Sequence, residues 1–238
     1  RTGGPSSTRW SKSSLLPGCS RLLSRRVWAS VRRMAASSVC ADCCFDTDRV
    51  AVKGWHGFQE GELDASDLPE TLAGMLTAPV TRSLPPAWQG EHSRQRAETW
   101  MRERDEERAQ GGATLLVVEK VSKQAVGLLI LFATPAAAAL EGGAAAAANS
   151  GPAAVEGQGG AVEIRVGYLL AEHAWGRGLA SDVVKGFVEW CRRHAAASNI
   201  VSVAGGVAAG NPASARVLEK NGFARVQRHD APPREEGE

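Results

Sequence analysis

The residues of this chain best arranged for chemistry lie between Val162 and Ala180. A β-rich apolar run is followed by Trp175-Gly176-Arg177-Gly178, and an amphipathic helical pattern begins at once. Two glycines separated by one residue let the backbone approach a ligand closely. The first amides of a helix have no intrahelical acceptor, and the helix dipole adds partial positive charge there. The pattern describes an anion site for a phosphate or pyrophosphate, with the Arg177 charge beside it. A tight turn without a ligand is the alternative. The third glycine of a dinucleotide fingerprint is missing, as is an acidic residue about 20 positions on, and there is no Gly-Lys-Ser/Thr of a P-loop.

Other reactive side chains are less organised. Cys19, Cys40, Cys43, Cys44 and Cys191 are an odd set in a chain too large to need disulfide staples, which points to a reducing compartment. Cys40-Ala41-Asp42-Cys43-Cys44 is half of a metal site, but no second Cys pair or nearby His completes four ligands, so free thiols and no metal are expected. His173 reads as an exposed loop residue and Cys191 as buried on a helix face. The single tyrosine, Tyr168, reads as packing against a sheet, and Trp55, Trp88 and Trp100 as core or rim residues.

The elements that must hold the turn follow from periodicity. Alternation over Arg49–Trp55 predicts a first strand. Asp64–Leu76 has helix-start chemistry followed by Leu68, Leu72, Met75 and Leu76 at helical spacing, before prolines 79, 85 and 86 break the chain. Ser93–Ala109 is a charged helix with a thin apolar stripe at Ala97, Trp100 and Met101. Thr114–Glu119 and Ala125–Phe132 form a hairpin with a buried strand. Val162–Leu170 is the strand before the turn, and Leu179–Ala195 the helix after it, with an apolar face from Ala180 to Cys191. Ile200–Ala204 is a strand. Pro212–Asn221 is a helix capped by Asn211 and closed by Asn221-Gly222, and Phe223–Arg228 is a last strand. The order β-α-α-β-β-β-α-β-α-β gives a mixed sheet covered by helices.

Composition bounds the rest. With 43% hydrophobic and 23% charged residues in 238, the chain is globular in type. Residues 1–41 hold eight basic and no acidic residues, residues 136–160 are almost all Ala and Gly, and residues 229–238 form a polar tail. The first segment reads as a disordered basic leader or a non-native extension, the second as a flexible insertion between strands, the third as disordered. What remains is one domain, residues 48–228. Of 28 basic residues, 20 lie outside the leader against 26 acidic ones, so the domain is acidic and a nucleic-acid partner is discounted. The longest apolar run, Ala125–Leu140, is interrupted by Thr134 and Pro135 and too short to span a membrane. If Met34 is the initiator, the product is cytoplasmic. If residues 1–33 are a transit peptide, it belongs to a plastid or mitochondrion.

Val166-Gly167-Tyr168-Leu169-Leu170, Trp175-Gly176-Arg177-Gly178-Leu179-Ala180, Asn211-Pro212-Ala213-Ser214 and Glu219-Lys220-Asn221-Gly222-Phe223 together resemble the GNAT acyltransferase superfamily. Pro79-Val80-Thr81-Arg82-Ser83-Leu84-Pro85 and Ala97-Glu98-Thr99-Trp100 are similar to the early helices of its ribosomal-protein (Rim-type) N-terminal acetyltransferase branch. The resemblance covers about residues 48–228. It implies an α/β (α+β) fold with a mixed, mostly antiparallel central sheet flanked by helices. It also implies an acetyl-CoA-dependent N-acetyltransferase acting on an amine, a protein or peptide α-amine or else a small molecule, as a monomer or weak dimer. A non-catalytic acyl-CoA-binding module is the other class of reading.

The resemblance assigns roles residue by residue. Trp175 to Ala180 (Trp175, Gly176, Arg177, Gly178, Leu179, Ala180) fall on the pyrophosphate-binding pattern, with Trp175 where Gln or Arg is usual. Pantetheine lies where the preceding strand splays from its neighbour, amides near Leu169 and Leu170 polarise the thioester carbonyl, and Asn211 contacts the pantetheine. The family's frequent Tyr acid falls on Leu218, which has no proton to give, while Ser214 stands at a Ser of this branch and is either an acid or a local helix-start hydrogen-bonder. Glu163, on the strand two residues from Arg165 and four from Gly167, is the candidate base, the alternative being an exposed polar residue.

Overall fold

The structure, a computed structural model, describes residues 7–13, 15, 39–59, 61–63, 67–108, 110–136 and 160–226. Its strands are β1 (Ser7–Lys12), β2 (Phe45–Asp46), β3 (Val50–Lys53), β4 (Gly112–Glu119), β5 (Ala125–Pro135), β6 (Val162–Leu170), β7 (Ile200–Ala208) and β8 (Ala224–Arg225). Its helices are α1 (Leu68–Met75), α2 (Ala78–Thr81), α3 (Arg94–Arg108), α4 (Leu179–Ser198) and α5 (Pro212–Lys220). The strands make one eight-stranded sheet in the order β2-β3-β4-β5-β6-β7-β1-β8. Every neighbouring pair is antiparallel except β6 and β7. The parallel pair requires a crossover, and α4 supplies it.

Helices cover both faces of the central strands, so β4 is buried along its whole length. Its alternate residues feed two cores. Ala113, Leu115 and Val117 join Val183, Val184, Phe187 and Cys191 of α4. Leu116 and Val118 join Leu72 and Met75 of α1 and Ala97 and Trp100 of α3. Burying a Leu or Phe side chain is worth about 1.5–3 kcal/mol, so these two layers hold the sheet. α3 also buries Arg104, whose guanidinium stacks on Trp88 at 4.4 Å and Trp100 at 5.4 Å.

Several boundaries differ from the sequence reading. Residues 1–41 are expected outside the domain, yet Ser7–Lys12 forms a sheet strand and Val39 and Cys40 are buried. Strand β1 lies between β7 and β8, pairing with both. Trp10 packs into the α4 core, and Lys12 donates to the Asn221 carbonyl at 2.6 Å. The segment shows no alternation that would mark it as a strand, with Trp10 its one buried residue, and its partners lie at the far end of the chain. The prolines after α1 break it as expected, but Ala78–Thr81 makes a short helix of its own with Pro79 in its first turn, where a missing N–H costs nothing. Pairing in β8 is confined to Ala224 and Arg225. The Ala/Gly insertion, apart from residues 136 and 160, lies outside the described residues, as do the tail and positions 16–38. Among the described residues, no helix is long and apolar enough to cross a membrane.

Candidate active site

The site begins where two strands part. Strands β6 and β7 pair in parallel from Val162↔Ile200 to Val166↔Gly205 and no further. Beyond that point β6 continues along β5 to Leu170, while β7 continues along β1 to Ala208. A cleft therefore opens between Gly167–Leu170 and Gly206–Ala208. Strand β7 is held away because β1 occupies its other edge over six residue pairs. Gly167 and Gly206, at the vertex of the cleft, are both exposed and have nothing within 4 Å of where a Cβ would be.

Which amides face the cleft follows from alternation along β6. The Val162 N–H donates toward the β7 side, to Asn199, and the Ala171 N–H donates to Val126 at the start of β5. The β5–β6 register runs without a bulge between them, so even-numbered amides point to β7 and odd-numbered ones to β5. The amides of Tyr168 and Leu170 are thus directed into the cleft. The Leu169 amide is turned to β5, so of the amides near Leu169 and Leu170 it is those of Tyr168 and Leu170 that face the cleft. Gly127 of β5 permits this close pairing, since a Cβ there would stand 2.4 Å from the Leu169 carbonyl oxygen.

At the far end of the cleft the chain turns into α4. Gly176 and Gly178 have φ of +71° and +78°, in the left-handed region that L side chains adopt at a cost of about 1–2 kcal/mol. No described side chain caps α4 at Gly178, so its first amides remain open to an anion. The Arg49 guanidinium holds the turn by donating to the Arg177 carbonyl at 2.8 Å. The Arg177 side chain is paired with Glu119, so a carboxylate accompanies its charge. Ser122 first, then Arg177, hold the Glu119 carboxyl below the usual carboxylate range. The Trp175 indole donates to the Leu170 carbonyl at 2.7 Å, closing the loop between cleft and turn while the ring stays 44% exposed. Leu179 is buried under the helix start and Ala180 packs against the core, so both contribute through their main chain.

On the opposite wall, the Asn211 Oδ1 accepts from the Ser214 N–H at 3.1 Å, capping α5 as the sequence predicts. Its Nδ2 has no acceptor among the described residues and remains able to reach a ligand. The Tyr168 hydroxyl oxygen lies 2.8 Å from Ser214 Oγ and 3.2 Å from the Ser214 carbonyl oxygen. Burial pushes the Tyr168 hydroxyl up to about 12 against the opposing bond from Ser214, so it is protonated at any physiological pH. Leu218, at the position of the family's frequent Tyr, is 1% exposed in the core. The phenol here comes from the strand wall and not the helix wall, a pairing that sequence reasoning missed because it joins positions 46 apart.

Glu163 is on the other face of β6. Odd-numbered residues face the α1–α3 side, where Leu169 is in the core, and even-numbered ones face α4 and α5, where Val162, Ile164 and Val166 are. Glu163 is 3% exposed, so it is not a surface polar residue. Arg9 Nη2 donates to both its oxygens at 2.6 Å, Ser202 Oγ donates to one at 2.9 Å, and Arg165 Nε lies 3.8 Å away. Glu163 and Ser214 are therefore separated by the sheet, on the two faces from which a cleft between strands can be entered.

The remaining candidates stand apart from the cleft. His173 is exposed, and Trp55 and Trp100 are core residues. Cys40, Cys43 and Cys191 are buried thiols, with burial pushing Cys40 up to about 12. Among the described residues no group of three or more His, Cys, Asp or Glu side chains could hold a metal ion.

A parted parallel pair leading to an open helix start leaves a path for a long ligand with an anionic end. The family described as acetyltransferase (GNAT) domain matches residues 62–224. The chain belongs to the GNAT acetyltransferase family. As a GNAT protein it has an acetyltransferase fold, and the family uses acetyl-CoA as co-substrate. Among solved structures, an acetyltransferase (GNAT family) of Bacillus anthracis superposes with a TM-score of 0.52 at 12% identity, over 78% of this chain and 86% of that one. A Vibrio cholerae protein described as a ribosomal-protein-serine acetyltransferase superposes with a TM-score of 0.51 at 14% identity, over 79% and 86%. These two share the fold. No curated protein matches the chain in sequence. The family match does not include β1, β2 or β3, so the Arg9 clasp on Glu163 is a feature of this GNAT chain outside the matched region.

Proposed function

We propose that this GNAT chain transfers the acetyl group of acetyl-CoA to an amine, and that its acceptor is the α-amine of a peptide or protein. The observation that carries the reading is the cleft beyond Val166 and Gly205, open to both faces of the sheet and lined by the Tyr168 and Leu170 amides. The open amides at the start of α4 hold the pyrophosphate, with Asn211 Nδ2 toward the pantetheine arm. The Tyr168 amide, nearest the vertex, donates to the thioester oxygen as negative charge develops there. Such donors are often worth about 10²–10³ in rate.

The amine enters from the Glu163 face and attacks the carbonyl carbon directly. A new C–N bond forms, the C–S bond breaks, and no acyl-enzyme is made. The nitrogen sheds a proton toward Glu163. Glu163 lies four residues from Gly167, about 13 Å along the strand, so the proton moves through intervening water. The leaving sulfur takes a proton from the Ser214 and Tyr168 hydroxyl pair on the other face. An α-amine with a pKa of about 8 needs little help to lose its proton, unlike a lysine amine at about 10.4, which favours a terminal acceptor.

One observation favours the second reading, an acyl-CoA-binding module without turnover: both oxygens of Glu163 are already engaged by Arg9 and Ser202. Calorimetric titration of the full chain with acetyl-CoA tests binding. CoA release with a library of free-N-terminus peptides, wild type against Glu163→Gln, tests turnover. Release that falls in the variant supports the enzyme. Binding without release on any amine supports the module, and the absence of binding removes both.

A further inference from the structure

The face of the sheet that carries Glu163 has an unusual composition beyond the cover of α1 and α3. On the β7 and β1 side of the cleft vertex it presents Ser202, Ala204, Gly206 and Ser11, all small, while Ile130 and Phe132 of β5 flank Gly167 and Arg165 on the other side. Into this shallow trough project the two cations Arg9 and Arg165, both about one-fifth exposed, around the single carboxylate Glu163. Arg9 is bound to Glu163 at 2.6 Å, whereas Arg165 approaches it only to 3.8 Å. The Arg165 guanidinium makes no hydrogen bond to any described residue. The guanidinium remains partly open to solvent, so its donors are available to a ligand, and its planar fork matches a carboxylate. Among the described residues two guanidinium groups, Arg9 and Arg165, lie around the Glu163 carboxylate, although the domain as a whole is acidic.

We propose that Arg165 is a specificity-determining residue that selects acceptor peptides bearing an Asp or Glu at the second or third position. The inference rests on the reading of the cleft as an amine acetylation site. Arg165 is two residues, or about 6.6 Å of strand, from Gly167 at the vertex. An extended peptide advances about 3.3–3.6 Å per residue. An amine placed at the vertex therefore brings the side chain of its second or third residue over Arg165. A basic residue there is disfavoured: a lysine would meet the Arg165 charge at close range, while Glu163, already taken by Arg9 and Ser202, offers it no free carboxylate.

The test uses the full chain with acetyl-CoA and three peptides that differ only in residues 2 and 3, carrying Glu, Gln or Lys behind the same N-terminal serine. CoA release gives kcat/KM for each. The Glu peptide is expected to exceed the Gln peptide by about tenfold or more, as a charge-assisted hydrogen bond would give, with the Lys peptide lowest. In Arg165→Gln the Glu/Gln ratio falls to near one, and in Arg165→Lys part of it returns. Because each ratio is taken within one protein, a partly folded variant does not mimic the effect. A wild-type ratio near one, or a ratio that Arg165→Gln leaves intact, overturns the proposal. If no peptide is acetylated, the reading of the site as an acetylating one fails, and fluorescence anisotropy of the same peptides, labelled at the C-terminus, still decides the point. Tighter binding of the Glu peptide that is lost in Arg165→Gln upholds it, and equal binding of all three overturns it.

Discussion

Gly178 concentrates the site's dependence on backbone conformation in one residue. It sits at φ +78° and ψ 2° as the N-cap of α4, the helix start proposed above to hold the pyrophosphate. A Cβ at this position would meet only the Arg49 guanidinium, at 3.6 Å, an ordinary contact. Gly178→Ala therefore tests conformational strain without a clash. Holding an L-residue in this region costs about 1–2 kcal/mol. If the turn keeps its shape, that cost appears as lost folding stability and the acetyl-CoA affinity is unchanged. If the turn relaxes, stability is spared and Kd rises by about 5–30-fold, at 1.4 kcal/mol per decade. Any division between the two is allowed, but their sum is about 1–2 kcal/mol, less the roughly 0.4–1 kcal/mol by which Ala restricts the unfolded chain. Gly74, in α1 with open space around it and no positive φ, is the control. There Ala stabilises by about 0.5–1 kcal/mol. Denaturant titration and calorimetry with acetyl-CoA on both variants give the numbers. A Gly178→Ala protein that gains stability as Gly74→Ala does and binds acetyl-CoA as tightly as wild type refutes the reasoning.

Further expectations follow from neighbouring contacts. Tyr168 is the single tyrosine, so absorbance at 295 nm should show one ionisation near pH 12 in the folded chain and near the ordinary value of about 10 once unfolded. The sign is that of a raised folded value: its contribution to stability is complete below about pH 10 and is lost as pH rises through about 12. Tyr168→Phe should leave acetyl-CoA affinity within about threefold but lower kcat by about 10–100-fold, and an unchanged kcat would remove the hydroxyl pair from the chemistry. Arg9→Ala leaves Glu163 buried with weaker partners and should cost about 1–3 kcal/mol in denaturant titration, the lower figure reflecting the partial exposure of Arg9. Of the four described thiols only Cys44 is exposed, so a thiol reagent should modify it at once and reach Cys40, Cys43 and Cys191 only at the rate of unfolding.

Local pattern was enough for the turn and its scaffold. Gly176 and Gly178 lie in the turn between β6 and α4 as expected, Asn211 caps α5, and the apolar faces of α4 and β6 point where their periods of 3.6 and 2 direct them. These features depend on residues a few positions apart, and a few positions of sequence carry them. Tertiary structure alone decided the rest. Arg9 reaches Glu163 across 154 positions, from a segment whose composition resembled a leader. The register of β5 on β6 decided that Tyr168, and not Leu169, turns its amide to the cleft, and the parity of β6 placed Glu163 and Ser214 on opposite faces. Arg177 pairs with Glu119 across 58 positions. Each of these is a pairing between distant segments, and the free energy that selects it comes from packing and desolvation of the whole sheet, which no window of sequence contains.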